Sequence, residues 1–250
     1  MKHFYLFTAL IVFALACQTK KQPSMEEKQK ALRDKIVQQF DSIPGDFALA
    51  FVSIDQPEHK ILINEKEEFH AASTMKTPVL IEVYKQAKEG KFSLNDSVAV
   101  INEFRSIVDS STFSLDISED GGENLYQHVD KKRLLKDLVY DMIIYSSNLA
   151  TNIVIEMVNA KNVTQTMREL GAEDINVLRG VQDIKAYRKG MSNTTTAYDL
   201  MVIYRKLANK EVVSENASEA MLDILFDQTH NNIIPAKLPE DVKVAHKTGS

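Results

Sequence analysis

His70-Ala71-Ala72-Ser73-Thr74-Met75-Lys76-Thr77-Pro78 is the stretch on which the reading of this chain turns. Ser73 and Lys76 stand three positions apart, so on a helix they share a face one turn from each other. A serine hydroxyl is a weak nucleophile until a base takes its proton, and an amine at that distance can be the base. The S-x-x-K spacing alone carries little weight, because a chain of this length holds about one by accident. Its weight comes from two later triplets in a fixed order, Ser146-Ser147-Asn148 and then Lys247-Thr248-Gly249. S-x-N also occurs as Ser93-Leu94-Asn95 and Ser214-Glu215-Asn216. The middle copy is singled out by its setting between two apolar stretches of helical period, 134–144 and 149–158, where side chains can project from an interhelical turn.

S-x-x-K, S-x-N and K-T-G in this order form the acyl-transfer set of the penicillin-recognising serine enzymes. On these residues the chain resembles a class A β-lactamase or a close relative among the penicillin-binding serine hydrolases. The likeness runs beyond the triplets. Phe69–Lys76 resembles the family's lead-in to the nucleophile helix, and 143–152 its S-D-N loop, with Ser147 where Asp is usual. Asn193-Thr194-Thr195-Thr196-Ala197 resembles the Thr-rich exit of its omega loop, and His246–Ser250 its K-T-G strand. The resemblance implies an α/β (α+β) fold of the β-lactamase/transpeptidase type, an antiparallel sheet flanked by helices plus an all-helical lobe.

The resemblance also implies roles. Ser73 is the nucleophile and Lys76 its base, neutralised by burial and a neighbouring cation, Lys247. Ser146 relays a proton to the leaving nitrogen. Asn148 holds the substrate's amide side chain, and Lys247 and Thr248 hold its carboxylate. The N–H groups of Ser73 and Ser250 stabilise the oxyanion, and Tyr145, Ser147 and Ser250 line the site. Two departures stand out. If Arg179 matches the opening arginine of the omega loop, Val181 falls where class A enzymes carry the glutamate that activates the deacylating water. Asp183 is the nearest carboxylate and is a candidate substitute; the alternative is that it only pairs with Arg179 or Lys185. Second, the sequence stops at Ser250, where the family continues with two strands and a terminal helix, so a C-terminally truncated copy of the domain is expected.

The 250 residues carry a net charge of −5, with 44% apolar and 26% charged residues, ordinary for a soluble globular protein and suited to one large domain or two lobes sharing a core. No basic stripe points to nucleic acid. None of the 6 histidines forms an H-x-H or H-E-x-x-H pair, so neither metal nor other cofactor is expected. Residues 1–16, with the apolar run 4–16 after Lys2, read as a signal peptide. Cys17, the one cysteine, follows Ala14-Leu15-Ala16 as in a bacterial lipobox, so lipidation there is one expectation and plain cleavage the other. Residues 17–24 read as a tether and 25–250 as the hydrolase domain. Ser24-Met25-Glu26-Glu27 is a capping-box pattern. Strands are expected over 47–54, 60–64 and 242–245. Helices are expected over 73–87, 134–157, 162–170, 197–207 and 217–226, and a long loop over 108–125. Pro78 inside the Ser73 helix demands a tight 3₁₀-like start or a kink.

The leading expectation is a periplasmic, monomeric serine β-lactamase acting on a small β-lactam. A penicillin-binding D-Ala-D-Ala peptidase or esterase with slow deacylation, taking a peptidoglycan-type substrate, stays open beside it. So does a non-catalytic β-lactam-binding lipoprotein with a membrane lipid anchor.

Overall fold

The computed structural model of the protein describes residues 22–250; the expected signal segment 1–16, Cys17 and tether residues 18–21 lie outside them. Helix α1 (Met25–Asp41) opens on the expected capping box: Ser24 Oγ accepts from Glu27 N at 3.2 Å, and Glu27 Oε2 from Ser24 N at 2.7 Å. A hairpin follows, β1 (Leu49–Val52) against β2 (Lys60–Ile63), in register from Leu49↔Ile63 to Val52↔Lys60. Strand β3 (Phe69–His70) leads into a 3₁₀ turn at Ala72–Met75 and then α2 (Lys76–Lys88). This resolves the demand made by Pro78. The α-helix proper starts at Lys76, so Pro78 sits in its first turn, where an N–H has no intrahelical acceptor to lose.

The helical lobe is laced with short strands, β4 (Ser97–Ala99), β5 (Phe104–Arg105), β6 (Thr112–Phe113) and β7 (Lys132–Leu134). Next come α3 (Leu135–Ile144), α4 (Asn148–Val158), α5 (Ala160–Glu169), the short α6 (Ile184–Arg188), β8 (Thr194–Thr195), α7 (Ala197–Ala208) and α8 (Glu215–Phe226). Helix α2 is buried on nearly every side, and its Val79, Leu80, Ile81 and Val83 pack with Leu138, Ile143, Leu149, Val154 and Met167 from α3, α4 and α5. Each such side chain fully withdrawn from water contributes about 1.5–3 kcal/mol. The helix that opens at Lys76, directly after the Ser73 turn, therefore runs through the core of the helical lobe.

The mixed helix and sheet class expected from the sequence is the class observed. Its strands form four separate antiparallel pairs, β1–β2, β3–β8, β4–β7 and β5–β6, among the described residues. The strand expected over 242–245 does not form. An apolar cleft of about 750 Å³, lined by Ala48–Val52 on one side and Lys243 and Ala245 on the other, separates that segment from β1. Extended backbone becomes a strand only with a ladder partner within hydrogen-bonding reach.

Candidate active site

The pair β3–β8 builds the floor of the site. It sets Phe69 opposite Thr195 and His70 opposite Thr194, and Ala71 N donates to Asn193 O at 2.8 Å. The neck of the loop 176–194 closes through reciprocal 2.9 Å bonds between Asn176 and Thr194, making an omega-shaped excursion whose ends meet beside the 3₁₀ turn Ala72–Met75. Ser73 lies in that turn, just after Ala72 at φ 44°. Ser146, between α3 and α4, has φ 58°, and Gln182, in the omega-shaped loop, also has φ 58°. Ala72, Ser146 and Gln182, three of the nine left-handed non-glycine positions among the described residues, line one cleft of about 600 Å³ together with Ser73, Asn148, Thr248 and Ser250. Non-glycine residues held in this region cost on the order of 1–3 kcal/mol each, and such strain concentrates at functional sites.

Behind the cleft wall lies Lys76, fully buried. Its Nζ donates to Ser146 O at 2.6 Å, to Ser146 Oγ at 3.0 Å and to Asn148 Oδ1 at 3.0 Å. All of its hydrogen bonds go to the Ser146–Asn148 turn and none to Ser73 among the described residues. Burial, and secondarily the charge of Lys247, bring its pKa from 10.5 down to about 7, against an upward pull from Asp120. Lys247 Nζ donates to the same Ser146 Oγ at 3.0 Å and to Thr248 O at 2.9 Å, and burial lowers its pKa to about 8. The Ser146 hydroxyl thus sits between two amines, each poised near neutrality. Such a bridge can hand a proton in either direction at little cost. Tyr204, on α7, supports both ends of this arrangement. Burial pushes its phenol up to about 12, against hydrogen bonds to Thr77 and to the backbone of Lys247.

The residues singled out in the sequence therefore meet, with differences in how they face. Ser73, Ser146, Asn148, Thr248 and Ser250 line the cleft, as does Tyr145, whereas Lys76 and Lys247 stand behind its wall. Ser147 does not line it. Its hydroxyl turns inward to cap α4 at Ala150 N (3.2 Å) and lies 3.5 Å from Asp120 Oδ2. Asp183 also borders the cleft, but its carboxylate is engaged: it accepts from Ser106 Oγ at 2.9 Å, Ile107 N at 2.9 Å and Ala186 N at 3.1 Å, the last as the cap of α6. Neither Arg179 nor Lys185 bonds it. Arg179 donates to the carbonyls of Met191 and Gly180, and Lys185 pairs with Asp109 at 2.9 Å.

Two supporting residues escaped the sequence reading. Asn152, one helical turn beyond Asn148, takes Val181 N on its Oδ1 at 2.6 Å and donates Nδ2 to Val181 O at 3.0 Å, pinning that residue's backbone to α4. The i, i+4 spacing from Asn148 was the available signal. The other is Asp120, whose loop carried no motif. Among the described residues no cluster of side chains is arranged to hold a metal ion, and no helix is long and apolar enough to cross a membrane.

Residues 29–250 match the family described as the Beta-lactamase enzyme family. A beta-lactamase of Bacillus licheniformis is 24% identical over 238 residues, 92% of this chain and 70% of the relative. Beta-lactamase CARB-3 of Pseudomonas aeruginosa is 22% identical, over all of this chain and 81% of its own length. Among solved structures, PBP-A superposes with a TM-score of 0.72 at 25% identity, over 88% of this chain and 77% of PBP-A. A mutant of PBP-A, captured as an acyl-enzyme complex with penicillin G, gives 0.73 at 25% identity over 88% and 78%. The TLA-1 extended-spectrum beta-lactamase, at 20% identity and a TM-score of 0.75 over 89% of this chain and 78% of its own, shares the fold.

Proposed function

The chain belongs to the beta-lactamase enzyme family, and from that premise we propose that it is a serine hydrolase of class A type that opens the β-lactam amide through an acyl-enzyme on Ser73. The observation that carries the reading is the buried Lys76, brought down to about 7 and bonded to the Ser146 hydroxyl that Lys247 also reaches. In its neutral form Lys76 takes the Ser73 proton as Oγ bonds to the lactam carbonyl carbon. The negative charge formed on the carbonyl oxygen is met by the N–H groups of Ser73 and Ser250. As the C–N bond breaks, the proton passes from Lys76 through Ser146 Oγ to the leaving nitrogen. Thr248 and Ser250 hold the substrate carboxylate, with Lys247 contributing its field from behind Ser146, and Asn148 takes the amide side chain. Hydrolysis then requires water at the ester.

A second reading, a penicillin-binding D-Ala-D-Ala peptidase or esterase that releases β-lactams slowly, is favoured by one observation. Val181 is held beside the cleft where a carboxylate is expected, and Asp183 has its oxygens engaged in structural bonds. Mass spectrometry after mixing with benzylpenicillin separates the readings. An adduct on Ser73 that clears within minutes supports the β-lactamase, and one that persists for hours supports the peptidase. No adduct on the wild-type protein, or one that forms equally on Ser73→Ala, defeats both. The same reading carries export by residues 1–16 and lipid attachment at Cys17 as proposals, on the strength of the apolar run and the cysteine that follows it. Radiolabelled palmitate incorporation that survives Cys17→Ala would overturn the second.

A further inference from the structure

The Ser146–Asn148 turn owes its shape to a carboxylate that comes from outside it. Asp120 is nearly buried. Its Oδ1 accepts from Asn148 N at 2.9 Å and Gly122 N at 2.8 Å, and its Oδ2 from Leu149 N at 2.8 Å and the Tyr126 hydroxyl at 3.0 Å. The Ser147 hydroxyl lies 3.5 Å from Oδ2. Asn148 and Leu149 open α4, so the charge rests on the helix's first free N–H groups, where the macrodipole favours an anion. The next two residues make the approach possible. A Cβ on Gly121 would stand 2.1 Å from Tyr145 O, and one on Gly122 would stand 2.4 Å from Ser147 Cβ. The Asp120-Gly121-Gly122 segment is thus pressed backbone to backbone on the turn that carries Ser146 and Asn148, and only glycine fits there.

We propose that Asp120 is the positioning residue of the active site: clamped from a separate loop onto residues 145–149, it fixes Ser146 and Asn148 against Lys76, and acylation depends on it though it touches no substrate. The proposal rests on the acyl-enzyme reading above. The charged groups facing Lys76 are Lys247 and Asp120, and Asp120 in turn faces Tyr126 and Asp141. Asp120 raises the Lys76 pKa, so a neutral residue at 120 lets Lys76 lose its proton at lower pH.

The test uses the rate at which benzylpenicillin acylates the wild-type chain, Asp120→Asn, Asp120→Ala, and Asp120→Ala combined with Ser147→Asp, with the Lys76 titration followed in parallel by lysine Cε NMR. The expected results are at least tenfold slower acylation in Asp120→Asn, an acid limb moved to lower pH, and recovery of most of the rate in the double variant. That recovery is expected because a carboxylate on residue 147 reaches the place that Asp120 vacates. Asp120→Asn acylating within twofold of wild type overturns the proposal, as does an unmoved Lys76 titration, which the NMR reads whether or not any variant is active. A double variant no better than Asp120→Ala also overturns it. Wild-type protein that takes no adduct at all refutes the acyl-enzyme reading instead, leaving the clamp to be judged by the NMR shift alone.

Discussion

Replacing Lys76 by methionine should remove acylation and at the same time make the protein more stable at neutral pH. The amine is fully buried, and its pKa is brought from 10.5 to about 7. At 1.36 kcal/mol per pH unit, that gap means that folding costs about 5 kcal/mol whenever the unfolded chain carries the proton and the folded one is asked to keep it. At pH 7 about 4 kcal/mol of this cost applies. Methionine fills a similar volume without charge, but it forfeits the three hydrogen bonds to Ser146 O, Ser146 Oγ and Asn148 Oδ1, together worth about 3 kcal/mol. The variant should therefore gain on the order of 1 kcal/mol at pH 7, a Tm higher by about 2–4 °C for a chain of this size. The sign must then reverse. Between pH 7 and 10.5 the unfolded state binds the Lys76 proton and the native state does not, so wild-type stability rises with pH through this window and is level below it. The variant lacks that rise. Lys247, lowered to about 8, adds a slope of its own between 8 and 10.5, but it does so in both proteins and cancels in the difference. The two stabilities should cross near about pH 8, and by about pH 10 the wild type should lead by about 2 kcal/mol. Urea unfolding at half-unit steps from pH 6.5 to 10 measures this. A difference that stays constant across the range would mean that Lys76 keeps its proton in the fold, and the argument for it as the base would go with it.

Acylation followed by stopped-flow absorbance should rise as pH climbs through about 7, where Lys76 becomes neutral, and fall above about 8, where Lys247 loses its charge; in Lys247→Ala the rising limb should move to higher pH, because the Lys247 charge holds the Lys76 pKa down. Val181→Glu places a carboxylate on the backbone that Asn152 pins from both sides, and should shorten the life of the Ser73 adduct at least tenfold by time-resolved mass spectrometry; an unchanged lifetime would dismiss that position as the seat of the deacylating base. Gly180→Ala would bring a Cβ to 2.3 Å from Asn152 Oδ1, the atom that accepts from Val181 N, and should cost about 1–3 kcal/mol in a thermal melt while loosening the omega-shaped loop.

Much of this architecture was legible in the linear chain because the signals are local. The capping box at Ser24, the break between α3 and α4 at the S-x-N turn, and the 3₁₀ start that was one of the two outcomes open to Pro78 each involve groups within a few residues of one another, and backbone sterics and i, i+4 contacts need nothing from elsewhere. The order of the three motifs likewise named the residues that converge on the cleft.

The surroundings of those residues come from contacts across long stretches of sequence. Lys76 is brought towards neutrality by burial in a core drawn from several helices and by a lysine from the far end of the chain. Asp183, the nearest carboxylate in sequence to the expected base, is spent on Ser106, Ile107 and the end of α6. Ser147, inside the motif, faces Asp120, and Asp120, inside no motif, holds the turn. Sequence by itself determined which chemical groups are present and which lie within a turn of each other. The protonation of a buried amine, the partner of a carboxylate and the presence of a ladder for 242–245 are properties of desolvation, charge proximity and backbone pairing between distant segments, and only the tertiary structure decided them.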